Sequence, residues 1–302
     1  MSRLDTLITP PRKHQPPTVA VAMANDVEVI RCIGRATREG LVRLILIGPR
    51  AKILEVASAN GVALGDAVFI DETDDVRACA RAARLVGEQR AQILMKGLVH
   101  TAVFTRALLD KELDLVPEGN LVSHVAIFDI EAYHKLLLMT DGGINIDPDV
   151  PRKAAIMKNA IGLAQRIGIK RPKVAIISAI EKINPKIRST TDARELVRMA
   201  EADVFGGAIV DGPFGLDIAV SAEAARIKGA TSEVAGDADI LLVPNIESGN
   251  VLYKALTQFT RARVAGILSG ARCPVIVTSR SDTEEVKFRA LALAVRSISA
   301  VP

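Results

Sequence analysis

The chain has 302 residues, of which 49% are hydrophobic, 25% charged and only 3% aromatic, with no Trp. That composition excludes disorder as the main state, supplies enough apolar material for one or two domains of roughly 150 residues, and leaves too few rings for a platform on which bases or sugars stack. With 39 Lys and Arg against 35 Asp and Glu, the formal charge is +4; the interspersed signs are weak support for a nucleic-acid surface and suit a small anionic substrate equally well.

The first 17 residues are polar and Pro-rich where a secretory signal needs an apolar core, and no run approaches the roughly 18 apolar residues of a membrane span. A soluble, cytoplasmic protein is expected. From Thr18 onward, short β-branched runs alternate with stretches of helical period: TVAVAMA (18–24), a helix over 26–39, VRLILIG (42–48), AVFID (67–71) and AQILMKG (91–97). This is the pattern of βαβ units whose parallel strands are covered on both faces. At 122–141, VSHVAIFDI and KLLLMTD are separated only by EAYH, too short for a helical crossover, so an antiparallel pair is expected. INIDPDVPRKAAIMKNAIGLAQRIG then carries two prolines and a long amphipathic helix, which predicts passage into a second domain near 145. The second half repeats the alternation with KVAIISAI (173–180), GGAIVDGP (206–213), ADILLVP (238–244), VAGILSG (264–270) and PVIVTS (274–279), and a helix over 283–299 closes the chain. The expected organisation is two α/β domains, residues 1–145 with 265–302 and residues 146–264.

Several chemistries lose weight because their motifs are absent: there is no GxxxxGK[ST] phosphate loop, no GxGxxG after the first strand, no HExxH and no GxSxG. Cys32, Cys79 and Cys273 are far apart and odd in number, and His14, His100, His124 and His134 show no ligand spacing, so neither a disulfide framework nor a metal site is expected. In open α/β sheets the ligand crevice lies beyond the carboxyl ends of the strands. The most distinctive strand end is PVIVTSRSDTEE, in which PVIVT reads as a strand, SRSD as its loop, and Ser281 with Glu284 as a capping box. An anion beside Ser279 and Arg280 would meet the helix N-terminus and a guanidinium; equally, Ser281 only caps and Arg280 is only solvated. Other strand ends, DGPFGLD (211–217), VPNIESGN (243–250) and AIEKINPKIRSTTD (179–192), supply Asp211, Asn250, Asn184, Ser189 and Thr190 as candidate substrate-binding groups, each of which also suits ordinary turn chemistry.

Taken in order, KGLVHT (96–101), LVSHVAIFDI, HKLLLMTDGGINIDPD, SAIEKINPKIRSTTDA, GAIVDGPFGLDIAV, VAGDADILLVPNIESGN and SGARCPVIVTSRSD resemble the phosphate acetyltransferase and phosphate butyryltransferase family, from about Lys96 to the C-terminus. The compact length, the NP after SAIEKI, and TSRSD in place of the acetyl type's LSRG are closer to the butyryl branch. The resemblance implies an isocitrate/isopropylmalate dehydrogenase-like fold with a central cleft between two α/β domains, a homodimer or higher homo-oligomer assembled through the second domain, and reversible acyl transfer between the CoA thiol and inorganic phosphate. The substrates would be acyl-CoA, phosphate and acyl phosphate, with no metal and no cofactor. Residue by residue, Ser279 and Arg280 match the family's Ser-Arg, and Arg272 matches its GxR. The essential Asp that lies seven residues beyond the Ser in acetyltransferases falls here on Val286, which leaves Asp282 or Glu285 as the base. A carboxylate is the right type, since a thiol of pKa about 8.5 must lose its proton to attack an acyl phosphate. Two other classes compete: a metal- and NAD(P)-dependent decarboxylating dehydrogenase with Asp211, Asp217 and Glu247 around a divalent cation, and a non-catalytic acyl-CoA-binding or phosphate-binding regulator.

Overall fold

A computed structural model describes residues 2–9, 15–279 and 282–299. The strands are β1 (Thr18–Ala22), β2 (Arg43–Gly48), β3 (Val68–Asp71), β4 (Ile93–Lys96), β5 (Ser123–Asp129), β6 (Leu137–Thr140), β7 (Lys173–Ile177), β8 (Ile209–Phe214), β9 (Ile240–Leu242), β10 (Arg263–Ser269) and β11 (Val275–Ile276). They fall into two α/β units, Ile8–Asn120 with Ala265–Pro302, here the first, and Met1–Leu7 with Leu121–Val264, the second.

In the first unit the strand order is β3-β2-β1-β4-β11-β10, all parallel except β10, which runs against β11. β1 and β4 are buried along their whole length, as continuous apolar runs of a parallel sheet require. The helices begin where the local chemistry dictates: the Val27–Arg38 and Asp75–Gly87 helices are capped by Asp26 and Asp74, whose carboxylates accept N–H groups three residues on. The Glu284–Ser299 helix packs on the Val27–Arg38 helix, burying Phe288, Leu291 and Ala294 with Cys32 and Ile33, and the Arg35 guanidinium lies 3.7 Å over the Phe288 ring.

The second unit has the order β5-β6-β9-β7-β8, with β5 antiparallel to β6 and the rest parallel. Asp149 caps the Val150–Arg166 helix, with a proline in its first turn. At the amino ends of the strands, Asp237 gathers Lys135, Lys173 and His134 within 2.8 Å. Burial of the Asp237 carboxyl works against ionisation, but its lysine and histidine partners outweigh it and hold the group below the usual carboxylate range.

Several expectations change. The isocitrate/isopropylmalate dehydrogenase-like fold is corrected to an α/β fold with mixed strand directions in each unit, β10 running against β11 and β5 against β6; the connections after β10 and β5 are too short for the crossover helix that a parallel pair needs. The chain leaves the first unit at Asn120 and not near 145, because β5 and β6 pair with each other and β6 pairs with β9. The polar leader contains a helix, Arg3–Ile8, and Arg3 ties it to the second unit through Asp129 Oδ1 at 2.8 Å and the carbonyls of Ile130 and Tyr133 at 2.7 Å. The strand expected over PVIVTS shrinks to Val275–Ile276. Among the described residues no helix is long and apolar enough to cross a membrane.

Candidate active site

At the carboxyl edge of the first unit, the loops after β1, β4 and β11 emerge side by side, because these strands are parallel neighbours. Gly97 N–H donates to Ala22 O at 2.8 Å and Leu98 N–H to Met23 O at 2.7 Å. The approach is so close that a Cβ on Gly97 would sit 2.1 Å from Met23 O. Two unusual polar groups lie here. Lys96, 4% exposed at the end of β4, donates its Nζ to the Gly97 and Val99 carbonyls at 3.2 and 3.1 Å, and Asn25 Oδ1, beyond β1, is a buried oxygen without a hydrogen-bond partner among the described residues.

The loop after β11 carries exposed Ser279. Its backbone N–H donates to Asp282 Oδ2 at 2.7 Å, and the Asp282 N–H returns a bond to Ser279 O at 3.2 Å. Lys287, on the buried face of the terminal helix and 2% exposed, donates its Nζ to Ser279 O at 3.0 Å and Asp282 O at 2.7 Å. Ser279 and Asp282 are thus brought together, while Arg280 and Ser281, expected as anion ligand and cap, lie outside the described residues, as does His14. The Glu284 N–H, in the first turn of the terminal helix, donates to a distant group, Glu28 Oε2, at 2.7 Å. With Glu28 on that amide and Glu284 and Glu285 in the first turn, the positive end of the helix dipole is already opposed by carboxylates. Glu285, the second candidate base, is engaged by Arg35 at 2.7 Å and Arg289 at 2.9 Å.

In the second unit the candidates gather at the carboxyl edge of β6, β7 and β9, largely as loop architecture. Thr190 is fully buried, its hydroxyl hydrogen-bonded to the Asn184 N–H and to the carbonyls of Asn184 and Ile187. The structure therefore places it inside the first turn of the Arg188–Glu201 helix, where it ties down the preceding loop, and not on the surface. Ser189 Oγ meets Ser178 Oγ at 2.7 Å, the Asn184 side chain accepts the Lys186 N–H at 3.0 Å, and Asp211, in β8, accepts the Gly212 N–H at 2.7 Å. Asn250 Nδ2 donates to Gly142 O at 3.3 Å. Gly142 and Gly249 allow this approach, since a Cβ on either would fall within 2.8 Å of the other's backbone. Asp141, absent from the sequence-based candidates, organises the loop by accepting the N–H groups of Gly143, Ile144 and Asn145 at 2.9–3.2 Å.

Arg272, matched to the family's GxR, lies apart from Ser279. β10 runs against β11, so the loop that follows β10 lies at the amino edge of β11, the opposite edge from Ser279. There Arg272 pairs with the Asp114 carboxylate, donates Nε to Asp114 O at 2.7 Å, and lines a cavity of about 580 Å³ with Gln89, Gln92 and Ile298.

The cysteines are all buried; desolvation pushes the Cys79 thiol up to about 11 and Cys273 up to about 12, and raises Cys32 as well. None is disposed to form a thiolate nucleophile. His134 is paired with Asp237, and His124 stacks edge-on to Tyr253 at 6.1 Å. Among the described residues no three His, Cys, Asp or Glu side chains are grouped as a metal site would require, and Asp217, one of the acids that could be read as such a site, is paired with Lys228 at 3.0 Å.

Residues missed at the sequence level left one readable trace. Lys287 shares its register with the buried Ala290, Leu291 and Ala294 at helical spacing, a charge on an apolar face.

Residues 75–295 match the family described as phosphate acetyl/butaryl transferase, and the chain belongs to that family; it is an acyltransferase. It is 45% identical over 276 residues to the phosphate butyryltransferase of Clostridium acetobutylicum, covering 91% of each chain, and 39% identical over 293 residues to the phosphate acetyltransferase of Rhizobium meliloti, covering 97% of this chain and 92% of the relative. Among solved structures it is similar to a branched-chain phosphotransacylase from Enterococcus faecalis V583, with a TM-score of 0.82, 34% identity, and coverage of 93% and 99% of the two chains. It is this phosphotransacylase likeness that overturns the dehydrogenase-like assignment of the fold.

Proposed function

We propose that Ser279, Arg280 and Asp282 form the reacting centre for acyl-CoA + phosphate = acyl phosphate + CoA, with a short acyl group of the butyryl type as substrate. The observation that carries this reading is the turn after β11, where an exposed serine and a carboxylate are locked together by reciprocal bonds at 2.7 and 3.2 Å at the carboxyl edge of the sheet. A phosphate oxygen attacks the thioester carbonyl, the C–O bond forms, and the C–S bond breaks with its electron pair leaving on sulfur. Asp282 passes the proton between phosphate and thiolate, and in the reverse direction takes it from the CoA thiol. Arg280 and the Ser279 hydroxyl meet the negative charge that develops on the phosphate and carbonyl oxygens. The reading requires no metal and no redox cofactor. The greater identity to the butyryl-transferring relative supports the butyryl preference.

The test is release of free thiol from acetyl-, butyryl- and isobutyryl-CoA with and without phosphate. Thiol release is expected only when phosphate or arsenate is present, with kcat/KM for butyryl-CoA exceeding that for acetyl-CoA by roughly tenfold, the scale of discrimination by added methylenes in an apolar pocket. Equal release in phosphate-free buffer describes a thioesterase and removes the assignment.

A homodimer assembled through the second unit is part of the same proposal. Its support is the Ile246–Phe259 helix, of which Gly249 alone is buried, while Val251 and Phe259 are 68% and 89% exposed. Fourteen residues of helix with so little cover fit a face that another subunit completes. Phe259→Glu is expected to shift the light-scattering mass from dimer to monomer; wild-type protein that already runs as a monomer removes the dimer.

A further inference from the structure

We propose that Lys287 is the positioning residue of the reacting loop, a buried ammonium that draws together the two carbonyls bracketing Arg280 and Ser281. The inference rests on the reading of Ser279–Asp282 as the reacting turn. Lys287 Nζ contacts Ser279 O at 3.0 Å and Asp282 O at 2.7 Å, and the residue is 2% exposed on the helix face that carries the buried Ala290, Leu291 and Ala294. Among the described residues it forms no ion pair with a carboxylate. Glu284 and Glu285, its near neighbours in sequence, are turned instead onto Arg35 at 3.4 and 2.7 Å.

That arrangement is costly for stability alone. A desolvated ammonium whose only acceptors are carbonyls recovers less than one paired with a carboxylate, and the apolar face it occupies would be filled more favourably by Leu or Met. What the charge supplies is geometry. Two carbonyls three residues apart converge on one cation while Asp282 Oδ2 holds the Ser279 N–H, so Ser279 and Asp282 are fastened both to each other and to the ammonium. The positive charge of the buried ammonium adds to the field at the phosphate.

The test compares Lys287→Met and Lys287→Gln with wild type in thermal melts and in thiol-release kinetics. Lys287→Met is expected to fold with an unchanged or raised Tm, while kcat falls on the order of a hundredfold, as for a reacting group displaced by about 1 Å, with KM for acyl-CoA unchanged. Lys287→Gln keeps donors without the charge and is expected to fall between the two. Wild-type kcat in Lys287→Met, or a loss of activity that only tracks the loss of folded protein, overturns the inference. If the Met variant does not fold, the Gln variant decides: reduced kcat at unchanged KM supports the clamp, and wild-type kcat overturns it. Ser279→Ala and Arg280→Ala, assayed alongside, separate the two levels. Neutral Lys287 variants beside inactive Ser279 and Arg280 variants overturn the clamp alone, whereas active Ser279 and Arg280 variants overturn the reading of the loop itself.

Discussion

Arg280→Ala is expected to lower turnover by about a hundredfold or more while leaving the protein folded, since removing one preorganised donor at a developing oxyanion costs about 3 kcal/mol in the barrier. Structural integrity is expected because the backbone on either side of Arg280 is held by the Asp282 carboxylate and the Lys287 ammonium. Those bonds survive the substitution. Arg280→Lys keeps the charge but loses the planar fork that matches phosphate, so it is expected to recover only part of the loss. The measurement is kcat and KM for phosphate with butyryl-CoA, beside a far-ultraviolet dichroism spectrum to verify folding. Near wild-type turnover in a folded Ala variant would sink the assignment of the loop.

Gly97→Ala is expected to destabilise the protein by about 3 kcal/mol, the upper part of the usual range for forcing an extra carbon into packed surroundings. The new Cβ would stand 2.1 Å from Met23 O and 2.8 Å from Ala22 O. Neither atom can swing aside as a flexible side chain would. Both carbonyls are backbone acceptors for the N–H groups of Gly97 and Leu98, so relief of the clash requires breaking the bonds that join the β1 and β4 loops. Gly162→Ala is the control. Gly162 lies within the Val150–Arg166 helix with nothing within 4 Å of its added Cβ, and replacement there is expected to be neutral or to stabilise by roughly 0.5–1 kcal/mol. Urea midpoints of the two variants check both expectations; a Gly97→Ala midpoint equal to wild type would show that the two loops separate at little cost.

β1 and β2 are legible because a strand covered on both faces needs an uninterrupted apolar run, and TVAVA and RLILIG are such runs. The antiparallel β5–β6 pair is legible because its connection is too short for anything else. Ser279 and Asp282 are legible as a pair because they are three residues apart in one loop. That Arg272 lies apart from Ser279 is not legible, for the complementary reason: it follows a strand end, as Ser279 does, but the edge of the sheet to which a strand end points depends on strand direction, and β10 is reversed. Thr190 is buried in the first turn of the Arg188–Glu201 helix because the acceptors and donor around its hydroxyl are supplied by chain 3 and 6 residues away in a conformation that no spacing rule displays.

What the amino-acid order settles on its own is whatever rests on neighbours within about a turn or a strand: the alternation of elements, the caps at Asp26, Asp74 and Asp149, and the ordered motifs that identify a phosphate acyltransferase. The remainder depends on groups that only folding brings together. Glu28 reaches the Glu284 amide across 256 positions, Arg3 ties the N-terminal helix to Asp129 across 126, and β6 lies between β5 and β9 so that the chain leaves the first unit at 120 and not 145. The physical reason is that burial is non-directional and gives each segment its apolar face without naming its partner. Strand direction and the destination of a buried charge such as Lys287 are fixed by hydrogen bonds that can be made only after the sheet and helices have assembled around them.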